Sequence, residues 1–594
     1  EGTDISEMFT AALLAPLEED KRLLLAVMSQ ADEFTAEMAR AVTGLDGARA
    51  LLRELTGQNA FITHLPDGRT YRFHHMLKSC AGAMFAELTE REAYLDRFGD
   101  WFFTHGDPLR ALRFYARSGN AAGWLRTVAE DAGVQLASAD PAEVFACLDR
   151  WPREALRADP TALLVLMRSM FNWRNIPRML ELRQLLLTAI DEDKQRSAEE
   201  RGNLLGECDL IMSFLCYNDI SAMSRLHRSA SVQMSRPAIS IQNSGGWTFG
   251  SPSVLMMFYR APGELESELA EMDECMPHYY KVTNHHGQGA ETIMRAEALF
   301  CQGCFADAHI ELERAYAQAK NNGQINMALC CDFLSWRLSR YTDVEQRYTF
   351  EERYAALLRY HDASWINLWN ATSAYYYALR GETDSIPEIF SQHRLSDINM
   401  LAPGKPMMEM IENQVYLAQG AYAKLIGRSA ELLAVCEAMH YALVALHIRI
   451  QTAAAYERLG KSEEAHAWLD RALCDAAPDG FVMPFVENYE RLKPLLAREI
   501  RTELIGKITE LGEAAERRRD EIARPPVLEA LTEREYEVVC LMAQRLSNRE
   551  IAEKLYLSEG SVKQYVNQIY SKLHIEGDTR TKRKTLAGLL GQKT

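Results

Sequence analysis

The clearest chemistry in this sequence lies near its C-terminus. Lys563, Gln564 and Asn567 fall on one side of a helical repeat whose other side is Val562, Val566, Ile569 and Leu573. A cation and two amides at that spacing match the donors and acceptors that bases and phosphates present in a DNA major groove. Ser558 and Ser561 open the same segment, and the Ser558 hydroxyl is placed to cap it. Lys572 and Arg580 complete the expected DNA-contact set.

The residues that must position this face run from Leu531 to Leu573 and divide into three short amphipathic helices. Thr532 with Glu535, and Ser547 with Glu550, have the spacing of reciprocal helix-start caps. Ile551, Ala552 and Leu555 would brace the third helix from below. The pattern is a helix-turn-helix with a recognition helix.

The stretch resembles the LuxR-type DNA-binding domain. That family's pattern of L-T-x-R-E-x-E-V, L-S-N-x-E-I-A and S-x-x-T-V-K is met by Leu531, Thr532, Arg534, Glu535, Glu537 and Val538. It continues with Leu546, Ser547, Asn548, Glu550, Ile551 and Ala552, then Ser558, Val562 and Lys563. Ile569, Lys572 and Leu573 match the N-I-x-x-K-L that follows. Gly560, Ser561 and His574 depart from it.

Composition agrees once charge is localised. The whole chain carries a net charge of -17, which alone argues against nucleic acid. From Lys563 onward, however, seven Lys or Arg face only Glu576 and Asp578. The DNA footprint is therefore expected at the C-terminus alone. At 594 residues the chain should hold several domains, since single cores stop growing near ~250–300 residues. No apolar run is long enough for a membrane span, and no signal peptide opens the chain. The 12 scattered Cys suit reduced thiols, so the expected location is cytoplasmic.

Residues 1–85 predict helices over Ala11–Met28, Asp32–Gly44 and Ala48–Leu55. A β-hairpin follows around Pro66-Asp67-Gly68. Three helices and a hairpin make a winged helix. With His74-His75-Met76-Leu77, this segment resembles that of large MalT-like LuxR regulators. In that family it follows an ATP-binding switch of the STAND class and joins the switch to a sensor arm. His74 and His75 have no Cys or carboxylate at ligand spacing, so no metal site is expected.

From residue 86 to 500 almost everything reads as helix pairs, with turns such as Ala455-Tyr456-Glu457-Arg458-Leu459-Gly460 close to the tetratricopeptide pattern. A helical-repeat arm over 86–235 and a tetratricopeptide-like sensor over 236–500 are expected, stacked as a superhelix with a concave binding surface. One stretch, 237–253, is rich in Gly and Ser and carries two aromatics. Trp247, Phe249, Ser251 and Ser253 are its candidate ligand-binding residues. Residues 501–527 read as a charged helix end and a Pro525-Pro526 linker to the DNA-binding domain at 528–594.

Enzymatic signals are missing. No GxxxxGK[ST] phosphate loop, Gly-rich dinucleotide loop or catalytic constellation stands out, so no catalytic residue and no cofactor are expected. Cys301-x-x-Cys304 has no second pair and reads as buried thiols. The resemblance implies ATP for the full-length family, through a nucleotide-binding domain not found in this sequence, which opens on Glu1. The expected fold class is mostly α: winged helix, tetratricopeptide-like superhelix and C-terminal LuxR-type helix-turn-helix. The expected function is a DNA-binding transcription activator that senses a small inducer or a regulatory protein. Expected partners are double-stranded DNA and RNA polymerase. This chain would be mainly monomeric and the full-length family self-assembling. The rival reading is a protein-binding scaffold that its C-terminal domain locates on DNA.

Overall fold

Three aromatic residues organise the N-terminal end. Phe34 packs on Tyr71 and Phe73, with ring centroids 6.0 and 5.0 Å apart. They belong to a three-stranded antiparallel sheet of order β1-β3-β2, made of β1 (Phe34–Thr35), β2 (Ile62–His64) and β3 (Thr70–Phe73). Asp67 closes the β2–β3 turn by accepting the Arg69 and Thr70 amides, each at 2.9 Å. With helices Glu19–Met28, Ala36–Thr43 and Ala48–Gln58 this is the expected winged helix. Two expectations are corrected. Within the described residues the helix expected to run unbroken to Met28 is interrupted after Leu14 and runs from Glu19, because Pro16 disfavours continuous helical geometry there. Asp32–Thr35 is not helical, because Phe34 pairs with Tyr71 across the sheet and Thr35 caps the next helix through the Met38 amide.

The computed structural model describes residues 14–58, 61–243, 245–398, 400–523, 528, 530–543, 546–575, 577, 582 and 585–586. Pro525, Pro526 and Arg580 lie outside these, as do residues 11–13 of the first predicted helix.

Beyond the wing, packed helix pairs follow one another. Examples are Arg91–Thr104 with Pro108–Ser118, Ala198–Ser213 with Ile220–Gln233, and Ala442–Arg458 with Ser462–Ala476. The turn glycines Gly106, Gly303, Gly381 and Gly460 take φ of 75, 78, 74 and 72°, a left-handed geometry that ends each first helix. One hydrophobic core runs from Leu14 to Ile508. A second, separate core runs from Leu528 to Leu586. Among the described residues no helix is long and apolar enough to cross a membrane, and no cluster of His, Cys, Asp or Glu could hold a metal. His74 instead caps the helix His75–Ala86. Cys301 is a buried free thiol and Cys304 a half-buried one.

The stretch expected as a tether is, over Glu503–Ala523, a helix packed on the repeats. Ile508 is fully buried in the first core. Lys507 donates to the Gln302 carbonyl at 2.7 Å, and Arg518 to the Thr342 carbonyl at 2.7 Å. A β-carbon at Gly512 would collide with the Tyr489 ring, so the helix approaches there as closely as glycine permits.

The repeat under this helix is closed by a buried ion pair. Arg337 donates to both Glu487 carboxylate oxygens at 2.8 and 3.1 Å, and the Tyr375 hydroxyl adds a third bond at 2.9 Å. Burial opposes ionisation of Glu487, but the guanidinium outweighs it and holds the pKa below the ordinary carboxylate value. Glu487→Ala leaves Arg337 charged and unpaired in the core, and should destabilise the repeats by about 3–5 kcal/mol. The second substitution Arg337→Met should recover much of that. Urea melts of the two variants, followed by near-ultraviolet circular dichroism, check this.

Candidate functional site

The C-terminal core holds three helices, Glu533–Ala543, Asn548–Leu555 and Glu559–Lys572. Each begins where the sequence places a cap. Thr532 and Glu535 bond reciprocally, and Ser547 and Glu550 form a complete capping box. The Ser558 hydroxyl accepts the Ser561 amide at 3.0 Å, and the two hydroxyls lie 2.8 Å apart. They sit with the free amides of the recognition helix's first turn, where a helix attracts phosphate.

Val562, Val566, Ile569 and Tyr570 are buried on the inner face of Glu559–Lys572. Lys563, Gln564 and Asn567 are exposed together on the outer face, joined there by Gln568 and Ser571. Lys563 reaches Glu559 at 3.5 Å across the helix surface, an exposed pair that a stronger anion can replace. Lys572 is held differently: it donates to Glu535 at 2.6 Å and so ties the end of the recognition helix to the start of the first helix. Arg534 braces the second helix, donating to the Leu555 carbonyl at 2.7 Å. Sequence reasoning passed over Tyr556. It is 97% exposed at φ 54° in the turn before Ser558, and its one signal is an aromatic where a small turn residue is usual.

The 237–253 stretch is ordered by two buried anchors from distant helices. Glu207, 0% exposed, accepts the Ile239 and Ser240 amides at 2.9 and 2.8 Å. Asn326 Oδ1 accepts the Trp247 and Thr248 amides at 2.5 and 2.8 Å. Phe249 lines a cavity of about 770 Å³ together with Arg168, His286, Trp365, Leu368 and Met408. Trp247 faces a small apolar space behind it, beside Met272 and Tyr279. Arg168 lines both, bonds Asn172 Oδ1 at 2.5 Å and has no carboxylate partner among the described residues. Burial lowers its pKa to about 10. Burial likewise holds His286 near 4, neutral at physiological pH. Ser251 and Ser253 correct the expectation of ligand contact. Both are buried, with the Ser251 hydroxyl donating to the Ser253 carbonyl and the Ser253 hydroxyl capping the helix Val254–Phe258.

Two comparisons place these parts. Residues 529–583 match the family model of bacterial regulatory proteins of the luxR family. Residues 10–105 match the model of the MalT winged helix domain. The chain carries a MalT-type winged helix and a luxR-type helix-turn-helix. It is 49% identical over 61 residues to the transcriptional regulatory protein LnrK of Bacillus subtilis, covering 10% of this chain and 28% of that protein. It is 40% identical over 52 residues to the transcriptional regulatory protein LiaR of the same organism, covering 9% and 25%. The chain thus spans about a quarter of the length of each relative. No solved structure matches.

Glu535 is the joint of the luxR-type domain. Burial pushes its pKa up, but the Lys572 ammonium and the Thr532 donors outweigh burial and leave it below the ordinary value. A depressed folded-state pKa adds stability that is present above the unfolded value of about 4.3 and is lost as pH falls through the folded value. Glu535→Ala should cost this domain about 1–3 kcal/mol at pH 7, because it strands the Thr532 and Lys572 donors. It should also flatten the acid limb of the melting-temperature profile. Calorimetry of both proteins between pH 3 and 7 checks both effects.

Proposed function

We propose that this protein is a DNA-binding transcription regulator whose recognition helix reads the major groove through Lys563, Gln564 and Asn567. The single observation that carries this reading is the outer face of Glu559–Lys572. Its polar side chains are exposed as a set, while every apolar side chain of the helix is turned into a small core of its own. Ser558 and Ser561 add phosphate contacts at the helix start, with Tyr556 beside them, and Arg580 is assigned the same role. Lys572 contributes through Glu535, by fixing the helix.

The repeats act as the sensor. Their ligand is a small inducer in the Phe249–Trp365 cavity, whose apolar walls and few polar groups suit a small molecule. The regulator is an activator that works with RNA polymerase in the cytoplasm. The chain is not an enzyme and carries no cofactor. ATP enters through the nucleotide-binding domain that the family resemblance implies, which also drives assembly, so this chain alone is mainly monomeric.

Selection of bound duplexes from a random pool should yield one preferred site. On it, Lys563→Ala should weaken binding by roughly 1–3 kcal/mol if the ammonium reads a base. Fluorescence anisotropy against that site and a scrambled one gives the number. Equal affinity for both duplexes, or unchanged affinity in a folded variant, rejects the assignment.

A further inference from the structure

We infer that the cleft between the last repeats and the helix Glu503–Ala523 binds a small dianion, a phosphate monoester or a dicarboxylate, through Arg340 and Arg491. The cleft measures about 580 Å³. Four carboxylates line it, and each already has its own cation. Glu382 pairs with Arg380, Glu490 with Arg519, Glu516 with Lys493 and Glu487 with Arg337. Arg340 and Arg491 line the same space, and neither forms an ion pair with a carboxylate among the described residues; Arg340 lies against Tyr341, 5.9 Å from its ring centroid. Nε and Nη1 of Arg340 are buried without any partner. Burial holds the Arg491 pKa below its ordinary value, opposed by the nearby Glu490 carboxylate and reinforced by Arg458 and Arg340.

Two part-buried guanidiniums without an ion-pair partner of their own beside one cleft are costly in the empty protein and favourable when an anion bridges them. The opposite wall is Gly512, Ala515, Glu516 and Arg519 of the packed helix. An anion held by the two arginines therefore also pins the helix that leads to the DNA-binding domain. Its consequence for DNA rests on the regulator reading above. The binding itself does not, and is measured without DNA.

The test uses the 594-residue chain. Titration calorimetry with inorganic phosphate and, separately, with succinate is run against chloride at equal ionic strength. Saturable binding of phosphate assigns the monoester, and saturable binding of succinate the dicarboxylate. Binding of neither overturns the inference. R340Q/R491Q should bind at least about tenfold more weakly, as expected for lost charged hydrogen bonds. It should melt no lower than the parent without anion, because it removes unpaired charge. A variant that binds like the parent, or that loses stability with no anion present, shows arginines with a structural role only. Hydrogen exchange supplies a second readout. Amides from Gly512 to Arg519 should slow when the anion is added, and unchanged exchange overturns the clamp.

Discussion

Arg337 and Glu487 are 150 residues apart in sequence and fully buried against each other. A charge pair of this kind is weak evidence of net stability, but it is strong evidence of register. Arg337 lies on the helix Ile325–Leu338, and Glu487 follows the short helix Met483–Val486. Their bidentate geometry admits one relative placement of these elements, and the rings of Phe300, Phe333 and Tyr375 close around the guanidinium at 4.8, 5.2 and 5.6 Å. The bed on which Glu503–Ala523 lies is thereby fixed. Gly512 against Tyr489 allows that helix little freedom of its own.

The outer parts are built on the opposite principle. The helix-turn-helix has a core of its own among the described residues. Its joints are local and reciprocal: two capping boxes, a capping serine and the Lys572–Glu535 pair. The helix Glu503–Ala523, packed on the repeats, precedes the helix-turn-helix in the chain. Among the described residues the two cores share no side chain.

What is legible in the sequence follows the range of the contacts. The caps at Thr532, Ser547 and Ser558 are legible because donor and acceptor lie three residues apart. The recognition face is legible because one helical period writes it. The hairpin is legible from the Pro66-Asp67-Gly68 turn. The short strand at Phe34 is not, since two residues carry no periodicity and only Tyr71, far along the chain, makes them a strand. The packing of Glu503–Ala523 is hidden for the same reason. Its charges read as a solvated face until Asp343, Glu490 and Lys493 are placed beside them. The inward turn of Ser251 and Ser253 is also invisible, because loop composition does not say which hydroxyls the loop uses for itself.

The loop at 237–253 shows how a long irregular segment stays ordered inside a helical array. Backbone amides without a ladder must find acceptors, and a buried amide without one costs about 1–3 kcal/mol, more than the net worth of a typical bond. Glu207 and Asn326 provide those acceptors from helices on either side, 32 to 79 residues away. The loop is therefore only as well placed as the two helices are relative to each other. A small shift of one helix reaches the Trp247 and Thr248 amides through a single side chain, Asn326.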